Sequence, residues 1–289
     1  MKKLIDVCQI DAFTDEPFQG NSAGVVYSDE LTKEEMQLIA REFNVSETAF
    51  ISKSSEADFN LQWFTPTVEV KLCGHATIAS IHYLKQMGII QDNSSLNFNT
   101  LSGILKGITK YGIHSLGIPV PELKIFEGNK EEIIKALNCS NAIDQEKFPF
   151  ILDDGGYLYI HISSLSELMN LKPDYKALFD LSSVRKGYDA FTLFTTETKE
   201  KENHAHLRFF APYYGIDEDP VTGSANGPLL LVLRHLGLIE KNTEGKSFTF
   251  EQGDGLERKG RVNVAFSPSK NELTTSGKAV TVFKGELTF

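Results

Sequence analysis

An internal repeat is the feature of this sequence that most constrains its fold. LQWFTP (61–66) in the first half is echoed by LRFFAP (207–212) in the second half. GHATIASIHYLKQMGII (74–90) is matched in the same way by GSANGPLLLVLRHLGLI (223–239). The aligned segments keep their order and their spacing. This agreement indicates a duplicated supersecondary unit.

Each copy predicts strands on both sides of one helix, which indicates an α+β fold of two pseudo-symmetric domains. A strand comes before the repeated segment in both halves, ETAFIS (47–52) and DAFTLF (189–194), and a pair of strands follows the helix. We expect an N-terminal domain over 1–118 and a C-terminal domain over 119–289. We also expect a last strand, 281–289, to pack with the first domain. The 289 residues fit two domains of roughly 100–200 residues each.

Charge and composition exclude several classes of partner. The net charge of −10 argues against binding to nucleic acid or to an anionic membrane surface. No apolar run approaches the roughly 18 residues that a membrane helix needs. Cys8, Cys73 and Cys139 form no paired framework or zinc pattern, so a reducing cytoplasm is the expected location.

The repeated glycine-to-helix junction suggests a binding site for an anion. A helix N-terminus exposes unpaired N–H groups and about half a positive charge. Gly74 and Gly223 stand directly before the two predicted helices, where a ligand could reach the backbone. Two such helix ends facing each other across a domain cleft would hold a carboxylate. The alternative is that both glycines only permit tight turns.

Polar residues gather at both junctions. Cys73 and His75 flank the first glycine, and Asp219, Thr222 and Ser224 surround the second. A histidine at a helix N-terminus is disfavoured when charged, so a buried His75 should be neutral and suited to proton transfer. A capping role is the alternative for Ser224, as a purely structural role is for His75.

Two further features carry less specific signals. Glu47 interrupts a β-prone apolar run in NVSETAF, so it is either an outward-facing strand residue or a functional acid. His204 and His206 have the spacing of one strand face and could form half of a metal site. No third ligand has a recognisable spacing, so no metal is expected.

Several motifs together resemble the phenazine-biosynthesis-like (PhzF-like) family. They are FTDEPFQGNSAGV, NVSETAF, FTPTVEVKLCGHAT, FFAPYYGIDEDPVTGSA and FEQG…GRVNV, which span nearly the whole chain in the expected order. The resemblance implies the diaminopimelate-epimerase-like fold, with two similar domains that each curve a mostly antiparallel sheet or barrel around a central helix. It also implies an isomerase that uses neither metal nor organic cofactor, and it suggests a homodimer.

The resemblance further implies roles for individual residues. Glu47 of the SET motif would move a proton within a small carboxylic acid, in an interdomain cleft, with His75 and Asp219 as the other catalytic groups. The substrate would be a small anionic carboxylate. The residues expected to bind it are Asn21, Ser46, Cys73, Gly74, Thr222, Gly223 and Ser224.

Cys73 opens a second interpretation. Epimerases and racemases of the same fold use two thiols, and Cys73 resembles the first of them. The second thiol would fall near Pro220 or Val221, where there is no cysteine. A mixed epimerase or racemase that uses Cys73 and Asp219 stays open, as does a non-catalytic protein that binds carboxylates in the same cleft.

Overall fold

The computed structural model describes residues 3–183 and 187–288 and has a mixed α+β fold, which confirms the predicted class. The chain divides into two compact units, Met1–Gly117 with Thr274–Phe289, and Ile118–Leu273. No helix within the described residues is both long enough and apolar enough to span a bilayer.

The first unit is built mainly from antiparallel strands. Its elements are β1 (Leu4–Ala12), β2 (Asn21–Tyr27), α1 (Lys33–Phe43), β3 (Glu47–Lys53), β4 (Phe59–Phe64), β5 (Glu69–Val70), α2 (Gly74–Gln86), β6 (Ser94–Thr100), β7 (Gly103–Lys110) and β8 (Ile113–Ile118). A C-terminal strand, labelled β18 below, completes this unit (Ala279–Thr288). It pairs antiparallel with β1 over the whole length of that strand, from Leu4↔Thr288 to Ala12↔Ala279.

The second unit contains more helices. Its elements are β9 (Leu123–Ile125), α3 (Lys130–Leu137), β10 (Ile151–Asp153), β11 (Tyr157–His161), α4 (Leu165–Asn170), α5 (Tyr175–Ser183), β12 (Ala190–Thr195), β13 (Ala205–Ala211), β14 (Ile216–Asp219), α6 (Gly223–His235), β15 (Phe248–Gln252) and β16 (Gly260–Ser267). Along the chain, β17 (Glu272–Gly277) then leads out of this unit and into β18.

The strand pairings of the two units repeat, as the sequence duplication predicts. In the first unit β2 runs parallel to β3, β3 antiparallel to β4, and β4 parallel to β6. In the second unit β11, β12, β13 and β15 repeat these three relations in the same order. The helix between the last two strands is α2 in one unit and α6 in the other, and each has thirteen residues.

The duplicated helices are buried on all sides. Nine of the thirteen residues of α2 and ten of those of α6 are buried, without the polar stripe of a surface helix. Polar side chains inside α2 therefore bond to the helix itself: Thr77 Oγ1 donates to the Cys73 carbonyl at 2.6 Å, and Ser80 Oγ to the Ala76 carbonyl at 2.7 Å. Burial on every face makes each helix a fixed support for the residues at its N-terminus.

The surface helix α1 is capped at its N-terminus and buries one face. Thr32 and Glu35 form the capping box, in which the Thr32 side chain accepts from the Glu35 N–H and the Glu35 carboxylate from the Thr32 N–H. Met36, Ile39 and Ala40 are its buried residues, at the spacing of one helix face.

The register of the duplicated strands corrects one detail of the sequence alignment. ETAFIS and DAFTLF start with an acidic residue, but the ladders are offset by one residue from these letters. Thr48 pairs with Phe64 of LQWF, and Phe191 pairs with Phe210 of LRFF. Ala190, rather than Asp189, therefore occupies the position equivalent to Glu47. Glu47 has no acidic counterpart in the second unit.

One buried and one half-buried histidine of the first unit, His114 and His82, should make its stability depend on pH. His82 Nδ1 lies 3.3 Å from His114 Nε2. Burial and the nearby Lys85 and Lys284 lower the pKa of His82 to about 4, and burial with the charges of His82 and Lys85 lowers that of His114 to about 3. The unfolded chain binds protons at these histidines below about pH 6.5, whereas the folded state does not. The free energy of unfolding should therefore fall by roughly 2 kcal/mol per histidine between pH 7 and pH 5.

Urea unfolding of wild type and His82→Asn at pH 7 and pH 5 measures this effect. The asparagine side chain can still donate to His114 but cannot be protonated, so the loss of stability at pH 5 should be smaller in the variant. His235→Asn, at an exposed histidine, is the control and should keep the wild-type difference. An unchanged difference in His82→Asn would show that the histidine pair does not cause the pH dependence.

Candidate active site

Three elements of the first unit, β2, β3 and α2, place polar side chains at one end of α2. Asn21 is the first residue of β2 and Glu47 the first of β3, and the parallel pairing of these strands aligns Ala23 with Glu47. Cys73 is the residue before α2, and His75 is the second residue of the helix.

These side chains contact one another through the His75 ring. Asn21 Nδ2 lies 3.3 Å and Cys73 Sγ 3.4 Å from His75 Nδ1, while Glu47 Oε2 lies 3.4 Å from Nε2. Ser46 Oγ donates to Asn21 Oδ1 at 3.4 Å, which turns the Asn21 amide nitrogen toward the imidazole. Asn21 and Cys73 thus lie at Nδ1, and the Glu47 carboxylate lies at Nε2.

His75 is neutral at physiological pH. Burial lowers its pKa to about 4, although a backbone hydrogen bond with Ser22 opposes the shift. A neutral ring has one proton, so it can donate through one nitrogen and accept through the other. Nε2 lies 3.4 Å from Glu47 Oε2, and the Glu47 side chain is only 12% exposed. A neutral imidazole beside Glu47 leaves the charge of the carboxylate uncompensated.

In the second unit, one glutamine holds the loop that carries Asp219. Gln252 Nε2 donates to the Asp219 carbonyl at 2.9 Å and to Thr222 Oγ1 at 3.1 Å, while its Oε1 accepts from the Thr222 N–H at 2.9 Å. Thr222 Oγ1 in turn donates to Asp219 Oδ2 at 2.5 Å. Gly253 follows with φ +86°, and a Cβ there would come within 2.6 Å of the Pro220 carbonyl oxygen. A glycine is therefore required where β15 approaches this loop.

Ser224, the second residue of α6, contacts a tyrosine rather than capping the helix. Its Oγ lies 3.3 Å from the Tyr157 hydroxyl. Burial raises the Tyr157 pKa to about 12, although the Ser224 hydrogen bond opposes the shift, so this phenol keeps its proton at neutral pH. The Tyr157 ring packs edge-on against Phe209. The capping interpretation of Ser224 is wrong, because the residue before α6 is Thr222.

Both buried helices begin without a side-chain cap. Cys73 and Thr222 stand at the cap positions in extended conformations, and neither side chain accepts a hydrogen bond from its helix. Neither helix has an acidic residue in its first turn. The N–H groups at Gly74 and Gly223 therefore keep the positive potential that suits an anion.

Among the described residues, two clusters have the composition of a metal site. Glu47, Cys73 and His75 form one, and His206, Glu251 and Asp254 the other. In the first, the thiol and the carboxylate lie at opposite nitrogens of the imidazole, which suits proton transfer better than chelation.

The second cluster supplies the acidic partners that the sequence pattern of His204 and His206 lacked. Parallel pairing of β13 with β15 aligns His206 with Glu251, and Glu251 Oε2 lies 2.8 Å from His206 Nδ1. Burial would raise the Glu251 pKa, but His206 and several N–H groups hold it at about 2. Arg261 and Lys199 contact Asp254 at 3.1 and 3.3 Å. We interpret this cluster as a buried ion network, because its cations already balance the carboxylates.

Sequence reasoning missed Tyr157 and Gln252. Gln252 lies in the FEQG motif used for the resemblance. The motif does not reveal the four hydrogen bonds that Gln252 makes in the structure. The sequence around Tyr157 does not indicate a functional role, because the residue it contacts, Ser224, lies 67 positions further along the chain.

The chain belongs to the phenazine biosynthesis-like (PhzC-PhzF) family, whose model matches residues 10–285. An uncharacterized isomerase of Clostridium acetobutylicum is 38% identical, over 99% of both chains. The crystal structure of a PhzF-family protein of Bacillus anthracis superimposes with a TM-score of 0.89 at 30% identity, over 99% of both chains. These relationships support an isomerase.

The fold extends to more distant enzymes. A hydroxyproline epimerase of Agrobacterium vitis, solved with trans-4-hydroxy-L-proline bound, has a TM-score of 0.61 at 13% identity, over 99% of this chain and 93% of that one. At this identity the likeness shows a shared fold alone.

Proposed function

We propose that this protein is an isomerase that moves a proton on a small carboxylic acid without a metal or organic cofactor, with Glu47 as the general acid and base. The observation that carries the proposal is the Glu47 carboxylate, largely buried and 3.4 Å from Nε2 of a neutral histidine beside an uncapped helix N-terminus. A carboxylate in such a position can take a proton from an acidic C–H and return it elsewhere.

The proposed reaction has two proton transfers. Glu47 removes a proton from a carbon activated by the substrate carboxylate or an adjacent double bond, and the electron pair passes into a delocalised enolate. Glu47, whose proton can exchange with solvent before it is returned, then protonates another carbon of that system, so no oxidant or reductant is needed. N–H groups at Gly74 and Gly223 stabilise the negative charge that develops.

The remaining groups have supporting roles in this proposal. His75 orients Glu47, and Asp219, fixed by Thr222 and Gln252, serves as a second acid or base. Asn21, Ser46, Cys73 and Ser224 contact the substrate. The cytoplasmic location, the lack of nucleic-acid or membrane partners and the homodimer inferred from the resemblance are part of the same proposal.

Proton exchange with solvent tests the function without knowledge of the pathway. The full-length protein is incubated in D₂O with a panel of small cyclic acids, including hydroxylated cyclohexadiene carboxylates and trans-4-hydroxy-L-proline, and NMR follows each product. We expect deuterium in at least one acid together with a shifted double bond. Tight binding of an acid with no exchange would instead favour a non-catalytic carboxylate-binding protein.

Cys73 supports a second candidate function, an amino-acid epimerase or racemase that uses Cys73 and Asp219. Its thiol lies 3.4 Å from His75 Nδ1, where an imidazole could accept the thiol proton. A thiol on one face of a substrate and a carboxylate on the other would invert a stereocentre, whereas the leading proposal moves a double bond.

Cys73→Ser separates the two candidates. Under the leading proposal, exchange should stay within a few-fold of wild type, because serine preserves a small polar group beside His75. An epimerase that depends on the thiol should lose about 10²-fold or more, because serine is a far weaker acid and base. Measuring inversion and double-bond migration in the same samples identifies which reaction the residue serves, and Cys139→Ser is the control at another buried cysteine.

A further inference from the structure

The second unit has a cavity of about 490 Å³ at the C-terminal end of α6, away from the candidate active site. Helix α6 is about 20 Å long, and Ser224 lies at its opposite end. Leu123, Leu231 and Phe266 form apolar parts of the cavity wall, and Arg234, His235 and Lys241 add three basic side chains. The volume lies within the roughly 300–1,000 Å³ of small-molecule sites.

The three basic side chains have no acidic partner among the residues that the structure describes. By contrast, two arginines elsewhere in the second unit are paired, Arg208 with Glu218 and Arg261 with Glu200.

The acidic residues nearest along the chain are engaged elsewhere. Glu240 pairs with Lys246. Glu244 accepts from Ser267 Oγ at 2.8 Å and from the Ser269 N–H at 3.2 Å. The cavity therefore keeps a local excess of positive charge.

Arg234 is held in a position that suits an oxyanion. Its guanidinium lies over the Phe266 ring, 5.1 Å from the centroid, and its Nε donates to the Lys241 carbonyl at 3.1 Å. These contacts fix the plane of the group and leave the two terminal nitrogens to donate elsewhere. A fixed guanidinium plane beside an aromatic face favours a bidentate oxyanion attached to a flat apolar body.

The helix macrodipole explains only part of this arrangement. Basic residues in the last turn, here Arg234 and His235, stabilise a helix C-terminus. Lys241 lies beyond the helix, and the dipole gives no reason for an apolar wall beneath the cations.

We propose that this cavity is a second ligand site, which binds an organic anion: a carboxylate or phosphate carried on a flat apolar ring. The ring packs against Leu231 and Phe266, and the oxyanion is bound by Arg234 and Lys241 with His235 at the rim. The site is independent of the proposed isomerase chemistry.

Binding of 8-anilinonaphthalene-1-sulfonate to the full-length protein tests the proposal. This probe joins an anionic group to aromatic rings and fluoresces when it is bound in an apolar site. The double variant His235→Glu, Lys241→Glu should weaken binding by about tenfold or more, because it replaces attraction by repulsion. Both residues are exposed, so the fold should be retained.

The matched control is Lys172→Gln, Lys201→Glu. It makes the same change in net charge at two exposed positions of the second unit outside the cavity, and it should bind the probe as wild type does. Benzoate and phenyl phosphate should displace the probe, and their relative potency distinguishes a carboxylate from a phosphate ligand. Benzyl alcohol and benzylamine should not displace it.

Three results would overturn the proposal. The first is the absence of probe binding to the wild type. The second is an equal dissociation constant for the cavity variant and its charge-matched control. The third is displacement by the alcohol or the amine as readily as by the anions.

Discussion

Replacing Glu47 by glutamine should lower proton exchange by about 10²–10⁴-fold, because the variant lacks the group that carries the proton. The amide has almost the same volume as the carboxylate, and its oxygen can still face His75 Nε2, which lies 3.4 Å from Glu47 Oε2 in the wild type. Substrate binding should therefore change little, and the loss should appear in kcat. NMR-detected deuterium uptake and calorimetric binding of the same acid measure the two effects separately.

Glu42→Gln is the matched control, since it makes the same chemical change at an exposed position of α1. It should keep the wild-type exchange rate. Exchange within about twofold of wild type in Glu47→Gln, with the fold intact, would falsify the assignment of Glu47 as general acid and base.

Asp219→Asn should have the second largest effect, a loss of about 10²-fold in turnover. The Asp219 carboxylate is buried and accepts from Thr222 Oγ1 at 2.5 Å. An asparagine oxygen can accept the same bond, so the loop held by Gln252 should stay in place. What the variant loses is the negative charge and the ability to exchange a proton.

Asp217→Asn provides the control, because it removes a carboxylate from an exposed position of the same strand, β14. A similar loss in both variants would point to a general effect of charge. A loss confined to KM in Asp219→Asn would assign this residue to substrate binding alone.

The positions of the two buried helices could be predicted from the sequence more fully than the contacts of the candidate site. Helix periodicity and the duplicated glycines place α2 and α6 at Gly74 and Gly223, where the structure begins them. These features depend on neighbouring residues and on repetition, both of which a single sequence displays. The capping box of Thr32 and Glu35 also depends only on residues that are close in sequence.

The parts that could not be predicted depend on tertiary contacts. The one-residue offset that aligns Glu47 with Ala190 is set by pairing with β4 and β13. Tyr157 on β11 reaches Ser224 on α6 across 67 positions of sequence, and the parallel pairing of β13 with β15 brings Glu251 to His206. Such contacts produce no periodic pattern in the sequence.

The pairing of β1 with β18 has a consequence for the order of folding. During synthesis the ribosome delivers all of Ile118–Leu273 before the strand that pairs with Leu4–Ala12. The second unit is continuous in sequence and can fold first, whereas β1 has to keep one edge open until the last strand emerges. Until β18 is available, the unpaired edge of β1 can form hydrogen bonds with a strand of another chain. Chaperone dependence and aggregation during expression should therefore respond to changes in β1 and β18 more than to changes in the second unit.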